Sequence, residues 1–337
     1  MRPATRFRFL GRCLTTVLAA ICVLIPWSTF ASENTSTAPR TLRVLFLGNS
    51  FTNRHTLARI IKDMAEAGDP HLKLNYVSVI YAGRTLADHW KFASQNYIQV
   101  ATLTAEEQAH TISSLTALAA SEPKNGHLKS AVTRHTTLAR DLENLRQTWD
   151  VVVLQSYKDE ADGEQSTYWH YATKFAALAK AAGARVVLYE TTPNTQNERP
   201  ISTPPDPAPV VAKARLMAEL ARQVGGTVVP MSSVALRCQV TQPQFTLRYL
   251  NDAHPNQTMA YLTACTFYGV LFDRSPEGLT VDTVTETRPG TKPDQDPDGH
   301  PLSRTFSAQE RLQLQKAAWE GLQWFRATTA ESRIQAP

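Results

Sequence analysis

Short apolar runs that alternate with helical stretches constrain the fold of this chain more than any other feature. The runs at 42–47, 72–80 and 151–154 are rich in aliphatic and β-branched residues, and two more follow at 185–189 and 227–230. Continuous apolar runs of this kind are typical of strands that are buried on both faces of a parallel sheet. The sequence therefore predicts an α/β fold, a three-layer doubly wound parallel sheet.

The segments between these runs carry apolar residues at helical spacing. Helices are predicted at 57–67, 103–121, 128–147, 174–182, 210–224, 259–272 and 308–326. Proline-rich 198–209 and the Pro-, Asp- and Gly-rich 287–301 are predicted as surface loops. The long helical segment within 95–148 is interpreted as a cap or as one wall of a site.

The first residues resemble a secretory signal peptide. Four arginines precede an apolar run at 14–27, which is short for a bilayer crossing because a spanning helix needs about 20 residues. Small residues at 29–31 predict cleavage after Ala31. We expect a signal peptide at 1–31, a single domain at 32–337, and a secreted or periplasmic protein with no stable membrane span. An uncleaved N-terminal anchor is the alternative.

Charge and cysteine usage exclude some classes of protein. The formal net charge is +5, from 35 basic and 30 acidic residues, and without the signal peptide it falls to about +1, so charge does not predict nucleic-acid binding. Cys238 and Cys265 then remain, either as a disulfide or as two buried thiols. Their spacing matches no zinc motif, so no metal or cofactor is predicted.

A strand-to-helix turn at Gly48-Asn49-Ser50 follows the first apolar run. Such a turn presents a side chain at the carboxyl edge of a sheet, where ligands bind in open α/β folds. Ser50 is therefore a candidate nucleophile, although a serine in this place is also a common helix N-cap. His254 is the candidate base, because a serine nucleophile needs a histidine that the fold brings to it.

Two further positions are candidate donors to an oxyanion. Gly83 follows the second strand, where a backbone N–H can point at a developing negative charge, and Gln155 ends the third strand with a side-chain amide. A turn glycine and a structural glutamine are the alternative readings of these two residues.

The four positions, in this order, resemble the SGNH/GDSL hydrolase superfamily over residues 42–275. The resemblance implies an SGNH/flavodoxin-like fold and a serine esterase that forms an acyl-enzyme without a cofactor. It places Ser50 and His254 in the catalytic group, with an oxyanion hole from Ser50, Gly83 and Gln155. Three further blocks resemble a variant subgroup of the superfamily: 83–90, 261–268 and 275–279.

The chain departs from the superfamily pattern in two places. Gln155 stands where an asparagine is usual. Asn251 lies three residues before His254, where the superfamily has aspartate, and the carboxylate of Asp252 comes one place later. Asp252 is our predicted catalytic acid. The alternatives are that Asn251 orients the imidazole, or that a backbone carbonyl does so in a Ser-His dyad.

The expected substrate is a small acyl ester, and more specifically an acetyl ester on a small molecule or a carbohydrate. Tyr157 and Trp90 are candidate faces for stacking on a sugar. A lipase or lysophospholipase, and a carbohydrate-binding protein without catalysis, are the alternative functions. The segment 294–299 matches the first half of a calcium loop, but Thr305 replaces the bidentate glutamate, so a solvated acidic loop is the favoured interpretation.

Overall fold

The computed structural model describes residues 39–159, 166–191 and 196–331. Five parallel strands form its central sheet in the order β2-β1-β3-β4-β5. The strands are β1 Arg40–Gly48, β2 Leu72–Ile80, β3 Val151–Gln155, β4 Arg185–Glu190 and β5 Thr227–Pro230. This is the flavodoxin-like order, and it confirms the predicted α/β class.

Twelve helices are described around the sheet, together with a 3-10 turn at Arg54–Thr56 and an antiparallel pair, β6 Thr283–Thr285 and β7 Ser303–Thr305. The helices are α1 Ser50–Asn53, α2 Leu57–Gly68, α3 Leu86–Lys91, α4 Gln95–Ile98, α5 Ala105–Ser121, α6 Gly126–Arg140, α7 Leu142–Leu145, α8 Thr167–Ala181, α9 Ala208–Val224, α10 Met231–Thr241, α11 Gln257–Phe272 and α12 Ala308–Glu331. Among them, none combines the length and the apolar character that a bilayer crossing requires.

Alternate residues of each strand face two separate hydrophobic cores. Val44 and Phe46 of β1 pack with α2, α10 and α11, whereas Leu45 and Leu47 pack on the opposite face with α3, α5, α6 and α8. Side chains alternate between faces with a period of two, so a strand covered on both faces must be apolar throughout. This explains why the strands were recognisable as uninterrupted apolar runs.

The five predicted strands lie where the runs placed them, and the differences concern helices and the β6–β7 pair, which was not predicted. The α8 helix begins at Thr167 rather than at 174, since Ser166 caps it and its first turns bury Tyr168 and Trp169. The predicted helix at 128–147 is instead divided into α6 and α7 at Asp141. The α10 helix was not predicted, because it is buried on nearly all sides and lacks an amphipathic period.

The described residues, 39–331 with gaps at 160–165 and 192–195, form one compact unit. The predicted signal peptide at 1–31 and its cleavage site lie outside the described residues. At the carboxyl edge of the sheet, β1 continues into the Gly48-Asn49-Ser50 turn between the ends of β2 and β3. The chain passes from β1 to β2 on one side and then to β3 on the other side of β1, so the strand order changes direction at β1. Open α/β sheets bind ligands at such a switch point.

Candidate active site

The turn after β1 is stabilised by the buried side-chain amide of Gln155. Asn49 caps α1 by accepting a hydrogen bond from the Phe51 N–H at 3.0 Å. Gln155 accepts from the Asn49 N–H at 2.7 Å and from the Thr52 hydroxyl at 3.0 Å. A Cβ atom on Gly48 would lie 2.8 Å from Gln155 Oε1 and 2.4 Å from Thr52 Oγ1. The turn therefore requires glycine at this position, and Ser50 becomes the first residue of the helix.

A buried histidine fixes the last carbonyl of β1. His89 donates from Nε2 to the Gly48 carbonyl at 2.9 Å, and its Nδ1 accepts from the Ser94 hydroxyl at 2.9 Å. Burial lowers the pKa of His89 to about 4, although the hydrogen bond to Gly48 opposes this shift. The imidazole is therefore neutral at physiological pH and serves as a rigid support under the serine turn.

The structure brings the predicted serine, histidine and aspartate together. His254 Nε2 lies 2.9 Å from Ser50 Oγ, and His254 Nδ1 lies 2.5 Å from Asp252 Oδ1. Because a carboxylate accepts, Nδ1 carries the proton and Nε2 is free to accept from the serine hydroxyl. This is the arrangement in which histidine acts as a base toward serine.

Asp252, not Asn251, is the residue that contacts the imidazole. Asp252 Oδ1 also accepts from the backbone N–H of His254 at 3.1 Å, which folds the two-residue step between them into a tight turn. This turn brings the carboxylate to Nδ1 although it comes one residue later than in the superfamily pattern. Among the described contacts, Asn251 contributes its backbone N–H, to Asp298 Oδ1 at 3.0 Å.

The other oxygen of Asp252 is bound by a buried arginine that the sequence analysis did not identify. Arg54 Nη1 lies 2.6 Å from Asp252 Oδ2, and Nε and Nη2 of the same guanidinium donate to Glu286 at 2.5–3.1 Å. The side chains of Arg54 and Glu286 are 4% and 0% exposed. Burial opposes ionisation of Asp252, but the hydrogen bonds from His254 and Arg54 outweigh it and lower the pKa of Asp252 to about 2.

The backbone around Arg54 is strained. His55 and Thr56 have φ angles of 59° and 51°, in the left-handed region that costs a non-glycine residue roughly 1–2 kcal/mol. The ring of His55 is buried, donates to the Pro255 carbonyl at 2.9 Å and stacks on Tyr249. These contacts hold the 54–56 turn beside the loop that carries His254.

The segment that resembles a calcium loop instead anchors the His254 loop. Asp298 accepts from the backbone N–H groups of Leu250 and Asn251 at 2.9 and 3.0 Å. Asp296 is buried and accepts from the N–H groups of Asp298 and His300, both at 2.9 Å. Within residues 39–159, 166–191 and 196–331, no group of three or more His, Cys, Asp and Glu side chains has the arrangement of a metal site.

The two backbone N–H groups predicted to form an oxyanion hole are those of Ser50 and Gly83. Gly83 has a φ of 66° in the turn after β2, and this turn is tied to the nucleophile by bonds from Tyr81 N–H to the Gly48 carbonyl (3.0 Å) and from Asn49 Nδ2 to the Arg84 carbonyl (3.3 Å). In the described part of the chain, the N–H groups of Ser50 and Gly83 have no hydrogen-bond acceptor. Both are thus available to an oxyanion.

The side-chain amide of Gln155, which was predicted as an oxyanion donor, is bound to groups of the protein. Gln155 is fully buried, its Oε1 points to Asn49 and Thr52, and its Nε2 donates to the Ser156 carbonyl at 2.8 Å. The extra methylene of glutamine carries the amide under the turn instead of toward the substrate side. Gln155 therefore supports the nucleophile turn.

Two cavities open beside this group of residues. One, of about 400 Å³, is lined by Asp252, His254 and the 288–291 segment. The other, of about 880 Å³, lies between Arg84 and the turn that joins α5 to α6. The helical segment within 95–148 was interpreted as a cap or as one wall of a site. Its α5–α6 turn forms one wall of the cavity next to the Gly83 turn.

The remaining sequence predictions concern cysteines and aromatic residues. Cys238 and Cys265 are free buried thiols in this structure, and burial raises the pKa of Cys238 to about 12. Trp90 packs between Phe175, Tyr171 and the ammonium of Lys174, which lies 4.0 Å from the indole ring centre. Tyr157 is 46% exposed, and its N–H donates to the Arg84 carbonyl, so it lies at the rim of the site.

The contacts that Arg54, Glu286, Asp298 and His89 make around the site were not predicted from the sequence. Arg54 lies four residues after Ser50, and a charged residue that close to a nucleophile turn is the only local signal. Glu286 lies in a polar segment without a motif, and Asp298 lies in the segment that was interpreted as a solvated acidic loop. Their function follows from contacts with residues 47 to 232 positions away along the chain.

Comparisons with known proteins give distant structural likenesses. No protein-family model and no curated protein sequence matches the chain. A candidate SGNH hydrolase from Slackia heliotrinireducens is 17% identical with a TM-score of 0.40, covering 69% of this chain and 100% of its own. A DUF4886 family protein from Bacteroides uniformis ATCC 8492 is 12% identical with a TM-score of 0.45, covering 85% and 96%.

A third solved structure, described as TesA, is 16% identical with a TM-score of 0.36 and covers 68% of this chain and 98% of its own. At these identities and scores, the chemistry of the site has to be derived from its own residues. The order of the sequence blocks and the five-stranded parallel sheet together make the chain similar to the SGNH/GDSL hydrolase superfamily.

Proposed function

We propose that this protein is a serine esterase that hydrolyses small acyl esters. The observation that carries the proposal is the continuous chain of contacts from Ser50 Oγ to His254 Nε2 (2.9 Å) and from His254 Nδ1 to Asp252 (2.5 Å). A serine hydroxyl becomes a useful nucleophile when an adjacent base accepts its proton and a third group orients that base. All three roles are filled here at hydrogen-bonding distance.

The reaction follows from these positions. Ser50 Oγ attacks the ester carbonyl while its proton passes to His254 Nε2, and the carbonyl oxygen becomes an oxyanion held by the N–H groups of Ser50 and Gly83. Collapse of the tetrahedral intermediate breaks the ester C–O bond, and the alcohol leaves with the proton from His254. Water then attacks the acyl-enzyme with His254 again as base, which releases the acid and restores Ser50.

The substrate we propose is an acetyl ester, borne by a carbohydrate, in a secreted or periplasmic setting. The exposed Tyr157 ring beside the Gly83 turn supports a sugar, since aromatic faces with a polar rim commonly stack on one. The N-terminal sequence at 1–31 supports export. The alternative of a carbohydrate-binding protein without activity depended on Asn251 standing where the superfamily has aspartate. The contact of Asp252 with His254 supplies a carboxylate to the imidazole and therefore favours catalysis.

The test is hydrolysis of p-nitrophenyl acetate by residues 32–337, with Ser50→Ala and His254→Ala beside the wild type. Exposed residues of α5 provide matched controls, Ser114→Ala and His110→Ala. We expect Ser50→Ala and His254→Ala to fall to the background rate and both controls to keep wild-type activity. Wild-type hydrolysis no faster than that of Ser50→Ala, on this ester and on acetylated xylan, would overturn the proposal.

A further inference from the structure

The larger cavity beside the Gly83 turn has a distinctive set of charges. Its volume is about 880 Å³, and its walls are Arg84 on one side and the α5–α6 turn, residues 122–127, on the other. The turn contributes Glu122, Lys124, Asn125 and His127. A cavity of this size is in the range of small-molecule sites.

The cavity is next to the proposed nucleophile because Arg84 is fixed there by its backbone. The Arg84 carbonyl accepts from Asn49 Nδ2 at 3.3 Å and from the Tyr157 N–H at 3.0 Å, and the Arg84 N–H donates to the Tyr81 carbonyl at 3.1 Å. Asn49 is the residue immediately before Ser50, so the backbone of Arg84 is held directly beside the serine turn. A group bound at Arg84 would belong to a molecule whose ester lies at Ser50.

The two cations of the cavity have no acidic partner. Neither Arg84 nor Lys124 forms an ion pair with any of the described residues. The Nε atom of Arg84 is buried without a hydrogen-bond acceptor, so the side chain is packed into the cavity wall.

The other ionisable groups of the cavity do not cancel this charge. The Glu122 carboxylate accepts from Lys91 Nζ at 2.7 and 2.9 Å and from Asn125 Nδ2 at 3.2 Å. Burial, and then the charge of Arg84, lower the pKa of His127, whereas the nearby carboxylate of Asp88 opposes this shift, so the His127 imidazole adds no positive charge at physiological pH. Among the described residues, the lining therefore keeps two positive charges, those of Arg84 and Lys124, that form no ion pair.

We infer that the ester substrate carries a carboxylate on its alcohol part, bound in this cavity by Arg84 and Lys124. The inference rests on the proposed esterase function and specifies its substrate. The charge belongs to the alcohol because an acetyl group has none. A guanidinium presents a planar fork of donors that fits a carboxylate, and an ammonium adds a mobile second charge.

Two acetyl esters of similar size and different charge test this inference. They are 4-acetoxybenzoate, whose alcohol part carries a carboxylate, and its methyl ester, which is neutral. Their intrinsic reactivities differ, so the quantity to measure is the ratio of kcat/KM for the charged ester to that for the neutral ester in each variant. The variants are Arg84→Gln and Lys124→Gln, with Lys129→Gln on the exposed face of α6 as the matched control.

We expect the ratio to fall about tenfold in Arg84→Gln, the loss typical of a charged hydrogen bond, and several-fold in Lys124→Gln. The ratio should be unchanged in Lys129→Gln. Lys124 lies on the α5–α6 turn, away from the Gly83 backbone, so its effect cannot come from a displaced oxyanion hole. Ratios within twofold of wild type in both cavity variants would overturn the inference.

A binding measurement separates failure of the inference from failure of the esterase proposal. Calorimetric titration of Ser50→Ala protein with 4-acetoxybenzoate needs no catalysis, and Arg84→Gln in the same background should weaken binding about tenfold. If the wild type hydrolyses neither ester faster than Ser50→Ala does, the esterase proposal fails while binding still reports on the cavity. Equal affinity of Ser50→Ala for the charged ester and its methyl ester would reject the carboxylate site.

Discussion

Arg54 binds the oxygen of Asp252 that His254 leaves free, at 2.6 Å, and the same guanidinium is paired with the fully buried Glu286. One carboxylate of the site is thus fixed from two sides, by the imidazole it orients and by an arginine behind it. The arginine itself cannot move, because Glu286 occupies its remaining nitrogens. The orientation of His254 is therefore coupled to a charge pair that lies below the site.

Replacement of Arg54 should affect both stability and activity. Arg54→Gln leaves Glu286 buried without its partner, and removal of one member of a buried pair typically costs about 3–5 kcal/mol. We expect the free energy of unfolding, measured by urea denaturation, to fall by about 3 kcal/mol, with a lower kcat for p-nitrophenyl acetate at temperatures where the variant remains folded.

The exposed pair Arg59–Asp63 on α2 provides the control for this experiment. Arg59 is 62% exposed, and such surface pairs contribute at most about 1 kcal/mol. Arg59→Gln should therefore change stability and activity little. If Arg54→Gln were as mild as Arg59→Gln, the buried network would not hold Asp252 in place.

Substitutions at Asp252 and Asn251 should differ sharply in their effect. Asp252→Asn replaces the acceptor at His254 Nδ1 with an amide and destabilises the imidazolium that forms during attack, so we expect kcat for p-nitrophenyl acetate to fall by about 10²–10⁴-fold. Asn251→Ala keeps the backbone N–H that binds Asp298 and should retain most activity. Larger loss in Asn251→Ala than in Asp252→Asn would reassign the orienting group.

Removal of the Asp298 carboxylate should loosen the His254 loop without touching the reacting atoms. Asp298→Ala leaves the Leu250 and Asn251 N–H groups without their acceptor. We expect a several-fold lower kcat and faster amide hydrogen exchange at residues 250–254. Asp294→Ala is the comparison in the same segment, and similar exchange rates in both variants would contradict an anchoring role for Asp298.

Gln155 should behave as a support of the serine turn. Gln155→Ala removes the acceptor of the Asn49 N–H and the Thr52 hydroxyl, and each buried unsatisfied group costs about 1–3 kcal/mol. The variant should unfold at a lower urea concentration than the wild type. Loss of an oxyanion donor would instead lower kcat without changing the free energy of unfolding. Wild-type stability together with a reduced kcat would therefore support the oxyanion role predicted from the sequence.

The buried His89 predicts a pH-dependent contribution to stability. Its folded pKa of about 4 lies below the usual 6.5, so the stabilisation is fully present above pH 6.5 and is lost as the pH falls toward 4. The difference in free energy of unfolding between the wild type and His89→Gln should shrink by about 2 kcal/mol between pH 7 and pH 4.5.

His110, exposed on α5, is the matched control for His89. His110→Gln should stay within about 0.5 kcal/mol of the wild type at both pH values, as surface substitutions usually do. A pH-independent difference between the wild type and His89→Gln would show that the imidazole is not held neutral under the Gly48 carbonyl.

The five strands of the central sheet, the fold class and the candidate residues Ser50 and His254 could be predicted from local sequence patterns. Strands buried on both faces must be apolar along their whole length, and a strand-to-helix turn with glycine and serine is a local pattern. These features depend on neighbours within a few residues, so they can be read from a single chain. The α10 helix could not be predicted in this way, because a helix that is buried on nearly all sides has no amphipathic period.

The contact of Asp252 with His254, and that of Arg54 with Asp252, could be identified from the folded chain and not from the sequence. Asp252 reaches the imidazole through a tight turn, and Arg54 meets Glu286 across 232 positions of the chain. The direction of Gln155, under the turn rather than toward the substrate, likewise depends on the register of β1 and β3. Such contacts depend on side-chain direction and the packing of distant loops, which a local sequence pattern does not record.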